Sequence, residues 1–241
     1  MDSTAQEFLD SRPENPYWLA MAQTHPALAE IAAAARKLGR PVEDGQAASL
    51  TDYLSQLVKW NAKMNLVGPS DWRTIFDTLV VDSLYLADFL NGLDLGNAPL
   101  CLDLGAGAGL PGIPLRILWP HGDYWLVESR DKRATFMRSA VGRLGLTATS
   151  VFHGRAEDAL DRLARHGQHA TADLIVSRAF MPWPQLLPFV RPMLRPGGTV
   201  VILANTPPPP EPDLPAGWSL ADVASYPAAG KKRYFWSLRP A

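Results

Sequence analysis

The stretch from Leu100 to Gly112 constrains this chain more than any other. Leu100, Leu102 and Leu104 give a short apolar run with the spacing of a buried strand, and Gly105, Gly107 and Gly109 follow it at once. Residues without a Cβ let the backbone bend sharply and approach a ligand closely. Asp103 sets a carboxylate at the mouth of this turn. Pro111 suits the first turn of a helix, where its missing N–H costs nothing, and Ile113, Leu115, Ile117 and Leu118 continue the apolar pattern. A strand end, a glycine turn and a helix N-terminus together predict a nucleotide pocket at the carboxyl edge of a parallel sheet.

Two cofactors compete for that pocket. Gly107-Ala-Gly-Leu-Pro-Gly112 formally matches the dinucleotide pattern G-x-G-x-x-G. The match is out of register, because the first glycine after the strand is Gly105, and the third-glycine slot counted from it holds Leu110. Asp103 to Gly109 instead resembles the first motif of S-adenosylmethionine-dependent methyltransferases. A pyrophosphate favours a neutral-to-positive turn, whereas the ammonium of a methionine tolerates a nearby carboxylate. A glycine turn without any ligand is the plain alternative, but three spaced glycines cost backbone entropy for no packing gain.

The 241 residues suit one large domain or a domain with an extension, and an apolar share of 47% fills a sizeable core. No run of about eighteen apolar residues is present, so no membrane span is expected, and no basic-then-apolar leader is visible at the N-terminus. The single cysteine, Cys101, lies in the apolar strand, which excludes a disulfide framework and a thiolate metal cluster. The expected location is cytoplasmic. The net charge is -1, so a nucleic-acid substrate requires local basic patches. One comprises Arg130, Lys132, Arg133, Arg138 and Arg143; the other, Lys231-Lys232-Arg233, precedes aromatic Tyr234, Phe235 and Trp236. Charge alone fits a solvated helix face and a polar hairpin rim equally well.

Residues 1–95 read as a helical region, with residues 1–40 an Ala-rich arm that is loosely attached and amphipathic helices over 46–67 and 71–91. Residues 96–241 read as a Rossmann-like domain. Strands are predicted at 100–104, 123–128, 149–153, 173–177 and 199–204, a closing strand over 231–238, and helices at 131–144, 157–166 and 184–194, with Arg195–Gly198 as a turn. The alternation gives an α/β fold, a parallel sheet with helices on both faces. Three strand ends then carry candidate chemistry. Glu128 can accept two hydrogen bonds from ribose hydroxyls, or simply face water. The backbone of Arg155-Ala156-Glu157 is placed to meet an adenine edge, or starts a helix. Arg178 can hold a carboxylate bidentately, or pair with a neighbouring acid. The five histidines, including His166 and His169, show no metal spacing, and no nucleophile elbow is present, so no metal site is expected.

Lys59-Trp-Asn-x-Lys-x-Asn-Leu66, Asp82-Ser-Leu84, Asp103-x-Gly-x-Gly-x-Gly-Leu-Pro-Gly-Ile-Pro114, Glu128-Ser-x-x-Lys-Arg133, Arg155-Ala-Glu157 and Ser177-Arg-Ala179 occur in this order. Together they resemble the small-subunit ribosomal RNA guanine-N7 methyltransferases, the bacterial glucose-inhibited division protein B family, over roughly residues 50–205. The resemblance implies a Rossmann-like methyltransferase fold, S-adenosyl-L-methionine as cofactor, and a guanine of 16S rRNA, free or in the small ribosomal subunit, as substrate; a monomer is expected. It implies cofactor contacts at Gly105, Leu110, Ala156, Glu157 and Arg178, to which the reading of the glycine turn and the second strand end adds Gly107 and Glu128, and substrate contacts at Lys59, Asn61 and Asn65. With Arg178, the two asparagines are candidates for orienting the base. Thr78 and Leu79 stand where the family carries Arg-His, and Ala204 ends the fifth strand where a lysine is typical. A methyltransferase of a small molecule or protein, or a cofactor-binding protein that docks on the ribosome without turnover, stays open.

Overall fold

A computed structural model of the chain describes residues 25–165 and 171–241; Pro13, Pro16, Tyr17 and Trp18 of the expected arm, and His166 and His169, lie outside the described residues. Helix α1 (Leu28–Lys37) buries Ile31, Ala34 and Ala35. Helix α2 (Asp44–Met64) buries Leu50, Tyr53, Leu54, Leu57 and Val58, the helical spacing seen in the sequence. It begins with the Gln46 amide oxygen accepting from the Glu43 N–H at 3.0 Å and ends on Asn65 in a left-handed conformation. The predicted helix over 71–91 is one rod with an irregular middle: α3 (Trp72–Ile75), a π-helical turn at Phe76–Val80, and α4 (Val81–Asn91).

Among the described residues seven strands follow in one sheet: β1 (Leu100–Leu104), β2 (Asp123–Glu128), β3 (Thr149–His153), β4 (Ala172–Arg178), β5 (Leu194–Ala204), β6 (Trp218–Ala228) and β7 (Lys231–Pro240). Their order is β3-β2-β1-β4-β5-β7-β6. The first five pair in parallel, whereas β7 runs antiparallel to β5 and β6 antiparallel to β7. Helices α5 (Gly112–Leu118), α6 (Asp131–Leu144), α7 (Ala159–Arg165) and α8 (Trp183–Val190) make the crossovers. The parallel sheet expected from the sequence is present as β1 to β5, and the antiparallel β7 and β6 extend it. Strand β6 was missed, because Trp218–Ala228 mixes Asp, Ser and Pro into an edge strand with no clean alternation. The turn read at Arg195–Gly198 lies inside β5, as an irregularity in its register with β4.

The two faces of the sheet have different partners. One carries a core that runs from Ile31, Leu50, Tyr53 and Phe76 to Cys101, Ile113, Leu126, Phe136 and Phe235, so α1 to α6 share it with the sheet. On the other, Leu102, Leu104 and Ile175 pack with Leu186 and Val190 of α8 and Ala159 of α7. Burial of this apolar surface is the main favourable term in the fold. The alternation of side chains along β1 also settles Asp103: it shares a face with Cys101, the face that α5 covers, so its carboxylate is 1% exposed.

Candidate active site

The site forms where three neighbouring strand tips meet. After Leu104 the chain turns on Gly105 (φ 71°) and Gly107 (φ 62°), a left-handed backbone that suits glycine. Gly105 and Ala106 both donate their N–H to the Val127 carbonyl at 3.0 Å. Gly107 donates to Glu128 Oε2 at 3.0 Å and Arg130 to Glu128 Oε1 at 2.8 Å. Each carboxylate oxygen thus spends one lone pair on a backbone N–H and keeps another free, while Arg133 Nη1 lies 3.8 Å away. The Glu128 side chain is fixed in place before any ligand arrives.

The other glycines serve packing. A Cβ on Gly109 would collide with Ile113, and one on Gly112 would lie 2.5 Å from Asp103 Oδ2 and 3.2 Å from Tyr124. The G-x-G-x-x-G match at 107–112 therefore sets a helix against the sheet. The helices hold the turn from behind: the buried Tyr53 hydroxyl donates to the Ala108 carbonyl at 2.8 Å and Ser83 to the Pro111 carbonyl at 2.9 Å. Asp103 is no mouth residue. It accepts from the Tyr124 hydroxyl at 3.4 Å, and burial pushes its carboxyl up to about 7 while Tyr124, the Gly112 N–H and the Arg178 charge pull it back down.

A cleft of about 460 Å3 opens between the tips of β1, β2, β3 and β4, lined by Gly105, Glu128, Arg130, Arg133, Arg155, Ala156, Glu157, Phe180 and Met181 among others. Its volume lies in the range of small-molecule sites. Gly105, Glu128, Ala156 and Glu157 line this one cleft, and Gly107 stands just behind it, bonded to Glu128. Glu157 accepts from Arg155 Nη2 at 3.0 Å, and that bond holds its carboxyl below the usual carboxylate range. Leu110 is buried in the helical core, with its N–H donating to Ala106 at 3.0 Å. Phe180 and Met181 carry no motif; their only signal in the sequence is two apolar residues one position beyond a strand that ends in Arg178. The left-handed Ala179 (φ 54°) turns the chain there, and Phe180 comes so close to Gly105 that a Cβ on the glycine would lie 2.8 Å from its ring.

Arg178 does not line the cleft. Its Nη1 lies 3.4 Å from Asp82 Oδ2. Asp82 is 1% exposed and also accepts from Tyr226 at 2.9 Å and Arg233 Nη1 at 2.6 Å, while Arg233 donates to the Thr78 carbonyl at 2.7 Å. A buried carboxylate so surrounded ties β4, β6, β7 and α4 together. The sequence named Asp82 only as part of a resemblance, and missed the cluster because Tyr226 sits in the unforeseen strand. Arg233 is a correction to the basic patch: its side chain is 18% exposed and committed to Asp82.

Asn61 and Asn65 are also placed apart from the cleft's lining. The Asn61 amide donates to the Pro69 carbonyl at 2.8 Å, and its oxygen accepts from the Val67 N–H at 2.9 Å. Both ends of that amide close the loop after α2. Asn65 is the exposed left-handed cap of the helix, and Lys59 and Lys63 are exposed on the last turns of α2. No cluster of potential metal ligands occurs among the described residues.

The strand order separates the two cofactor readings, since an antiparallel β7 lies between β5 and β6, where the dinucleotide fold continues in sequence order. The O-methyltransferase from Bacillus cereus in complex with SAH superposes with a TM-score of 0.57 over 89% of this chain and 100% of its own, at 17% identity, which is a likeness of fold. Among curated relatives, the ribosomal RNA small subunit methyltransferases G of Nitratidesulfovibrio vulgaris (strain DP4) and Oleidesulfovibrio alaskensis are 49% and 44% identical, covering 88% and 87% of this chain and 93% and 92% of theirs. That of Lawsonia intracellularis is 44% identical over 89% of this chain and 96% of its own. The family profile described as rRNA small subunit methyltransferase G matches residues 46–208. The glycine turn, the fixed Glu128 and the strand order thus agree with the extent of sequence likeness, and the chain belongs to the rRNA small subunit methyltransferase G family.

Proposed function

We propose that this chain transfers the methyl group of S-adenosyl-L-methionine to N7 of a guanine in 16S rRNA, acting as a monomer in the cytoplasm. Family membership makes it a methyltransferase of small-subunit rRNA that uses this cofactor. The observation that carries the cofactor reading is Glu128. Its two oxygens are oriented by Gly107 and Arg130 and retain lone pairs, the acceptor pair that a ribose diol requires.

The residues present fit the nucleoside. Glu128 would hold the ribose, the backbone of Ala156 and Glu157 the adenine edge, and the turn at Gly105 and Gly107 would lie at the methionine end. Phe180 and Met181 supply an apolar wall. Arg178 and Leu110 act from behind this lining, through the Asp82 cluster and the packed core. When bound, the cofactor supplies a sulfonium methyl as electrophile. Guanine N7 carries a lone pair and no proton, so the chain needs no general base there. Its work is to hold the two reactants in line and keep water out.

The test is turnover. Purified protein, labelled cofactor and small ribosomal subunits lacking the modification should give one labelled guanine, with no transfer to free nucleosides. Binding of the cofactor without transfer to any small-subunit RNA would overturn the reading.

A further inference from the structure

The C-terminal hairpin lies outside the matched family segment, which ends at residue 208. Residue Ala204, the last of β5, is level with Tyr234 of β7. The hairpin continues past that point through the pairs Tyr226–Arg233, Pro227–Lys232 and Ala228–Lys231. At about 3.4 Å per residue it overhangs the carboxyl edge of the sheet by about 10 Å, on the side where the cleft opens. Ala229 (φ 49°) and Gly230 (φ 74°) close it with the two left-handed residues of a tight hairpin turn.

Two features make this overhang more than a polar rim. It is rigidly footed, because Tyr226 and Arg233 face each other across the ladder and both bond Asp82, and Tyr226 stacks on Phe235 at 4.4 Å and Tyr85 at 5.0 Å. It also presents free charge. Lys231 and Lys232 are exposed on opposite faces, and neither pairs with a carboxylate among the described residues; Lys232 lies 5.6 Å over the Tyr234 ring. At the opposite end of the same edge, Arg130 and Lys132 are exposed where α6 begins. Four strand spacings of about 4.8 Å separate β2 from β7, so about 19 Å lies between the two basic groups, with Arg130 in the lining of the cleft and the hairpin beside it.

We propose that the β6–β7 hairpin is a preformed arm that grips RNA phosphates through Lys231 and Lys232, with the Arg233–Asp82–Tyr226 cluster as its foot. The inference rests on the rRNA reading above and adds the substrate contact. Phosphate contacts position a nucleic acid and make its binding salt-dependent.

The experiment compares wild type, K231A/K232A and K231R/K232R by titration with the small-subunit RNA that wild type methylates, at several salt concentrations. Loss of two contacts to single-stranded phosphates should flatten the slope of log affinity against log salt by about 1.4, a weakening of about 25-fold at 0.1 M salt. The arginine variant should restore the slope, and S-adenosylhomocysteine affinity should be the same in all three. An unchanged slope in K231A/K232A, with wild-type methylation intact, overturns the arm and leaves the enzyme's function standing. Equal loss in both variants overturns it too, because it marks a packing effect. Failure of wild type to bind or methylate the RNA removes the rRNA reading, and the arm with it.

Discussion

Glu128→Gln is the substitution that reports most directly on how the cofactor is held. The change keeps shape and removes one acceptor. Both oxygens of the native carboxylate face a backbone N–H, from Gly107 at 3.0 Å and Arg130 at 2.8 Å. A glutamine must point its NH2 at one of them, so whichever way the amide turns, one N–H loses its partner and the other keeps a neutral acceptor. The ribose diol likewise loses an anionic acceptor. One charge-assisted hydrogen bond contributes about 1.5–3 kcal/mol. At 1.4 kcal/mol per factor of ten, that is a loss of cofactor affinity between about 12-fold and about 150-fold. Calorimetric titration with S-adenosylhomocysteine measures it, and circular dichroism confirms that the variant is folded. Unchanged affinity in a folded variant would refute the role given to Glu128, since no rotamer of glutamine preserves two acceptors.

Other substitutions test other links. Gly107→Val forces a β-branched residue into φ 62° at the position that bonds Glu128; with strain of about 1–3 kcal/mol to relieve, the turn should shift and titration should show cofactor binding lost. Space alone is not the objection, because the nearest side-chain atom to a Cβ there is 3.8 Å away. Tyr53→Phe leaves the Ala108 carbonyl without its buried donor, and urea unfolding should show a loss of about 1–3 kcal/mol. Asp103 sets a pH trend. Burial raises its carboxyl from 3.8 to about 7, so between those values the folded chain holds a proton that the unfolded chain has released, and stability falls as pH rises through that window. Relative to Asp103→Asn, wild type should therefore lose stability from about pH 4 to about pH 7; a flat difference in urea unfolding across that range contradicts the assignment.

The parts of the fold legible in the sequence were those fixed by local chemistry. Strands β1, β2 and β3 and helix α6 match their predicted bounds, because each couples a short apolar run or a helical stripe to a glycine or an acid at its end. Glu128 was legible for the same reason: a carboxylate closing a buried strand has few places to go. What failed depended on distant partners. Asn61 reads as a base-orienting amide until the loop at Val67 and Pro69 closes on it. Arg233 reads as one of three equal basic residues until Asp82, 151 positions away in sequence, claims it. Asp103 was misplaced through the pleat of a single strand. The guanidinium of Arg233 also reaches the carbonyl of Thr78, where the sequence lacks a basic side chain, so positive charge is delivered to that turn from the far end of the chain.

The central claim is chemical: a methyl group placed on N7 of one guanine in 16S rRNA. Alkylation at N7 makes the imidazole ring cationic and labile, so borohydride followed by aniline cuts the RNA at that nucleotide alone. Small-subunit RNA from cells lacking this protein should lose one such cut, and incubation with purified protein and S-adenosylmethionine should bring it back at the same position. An identical cleavage pattern with and without the protein, or a restored methyl that leaves the guanine resistant to aniline, would contradict the account.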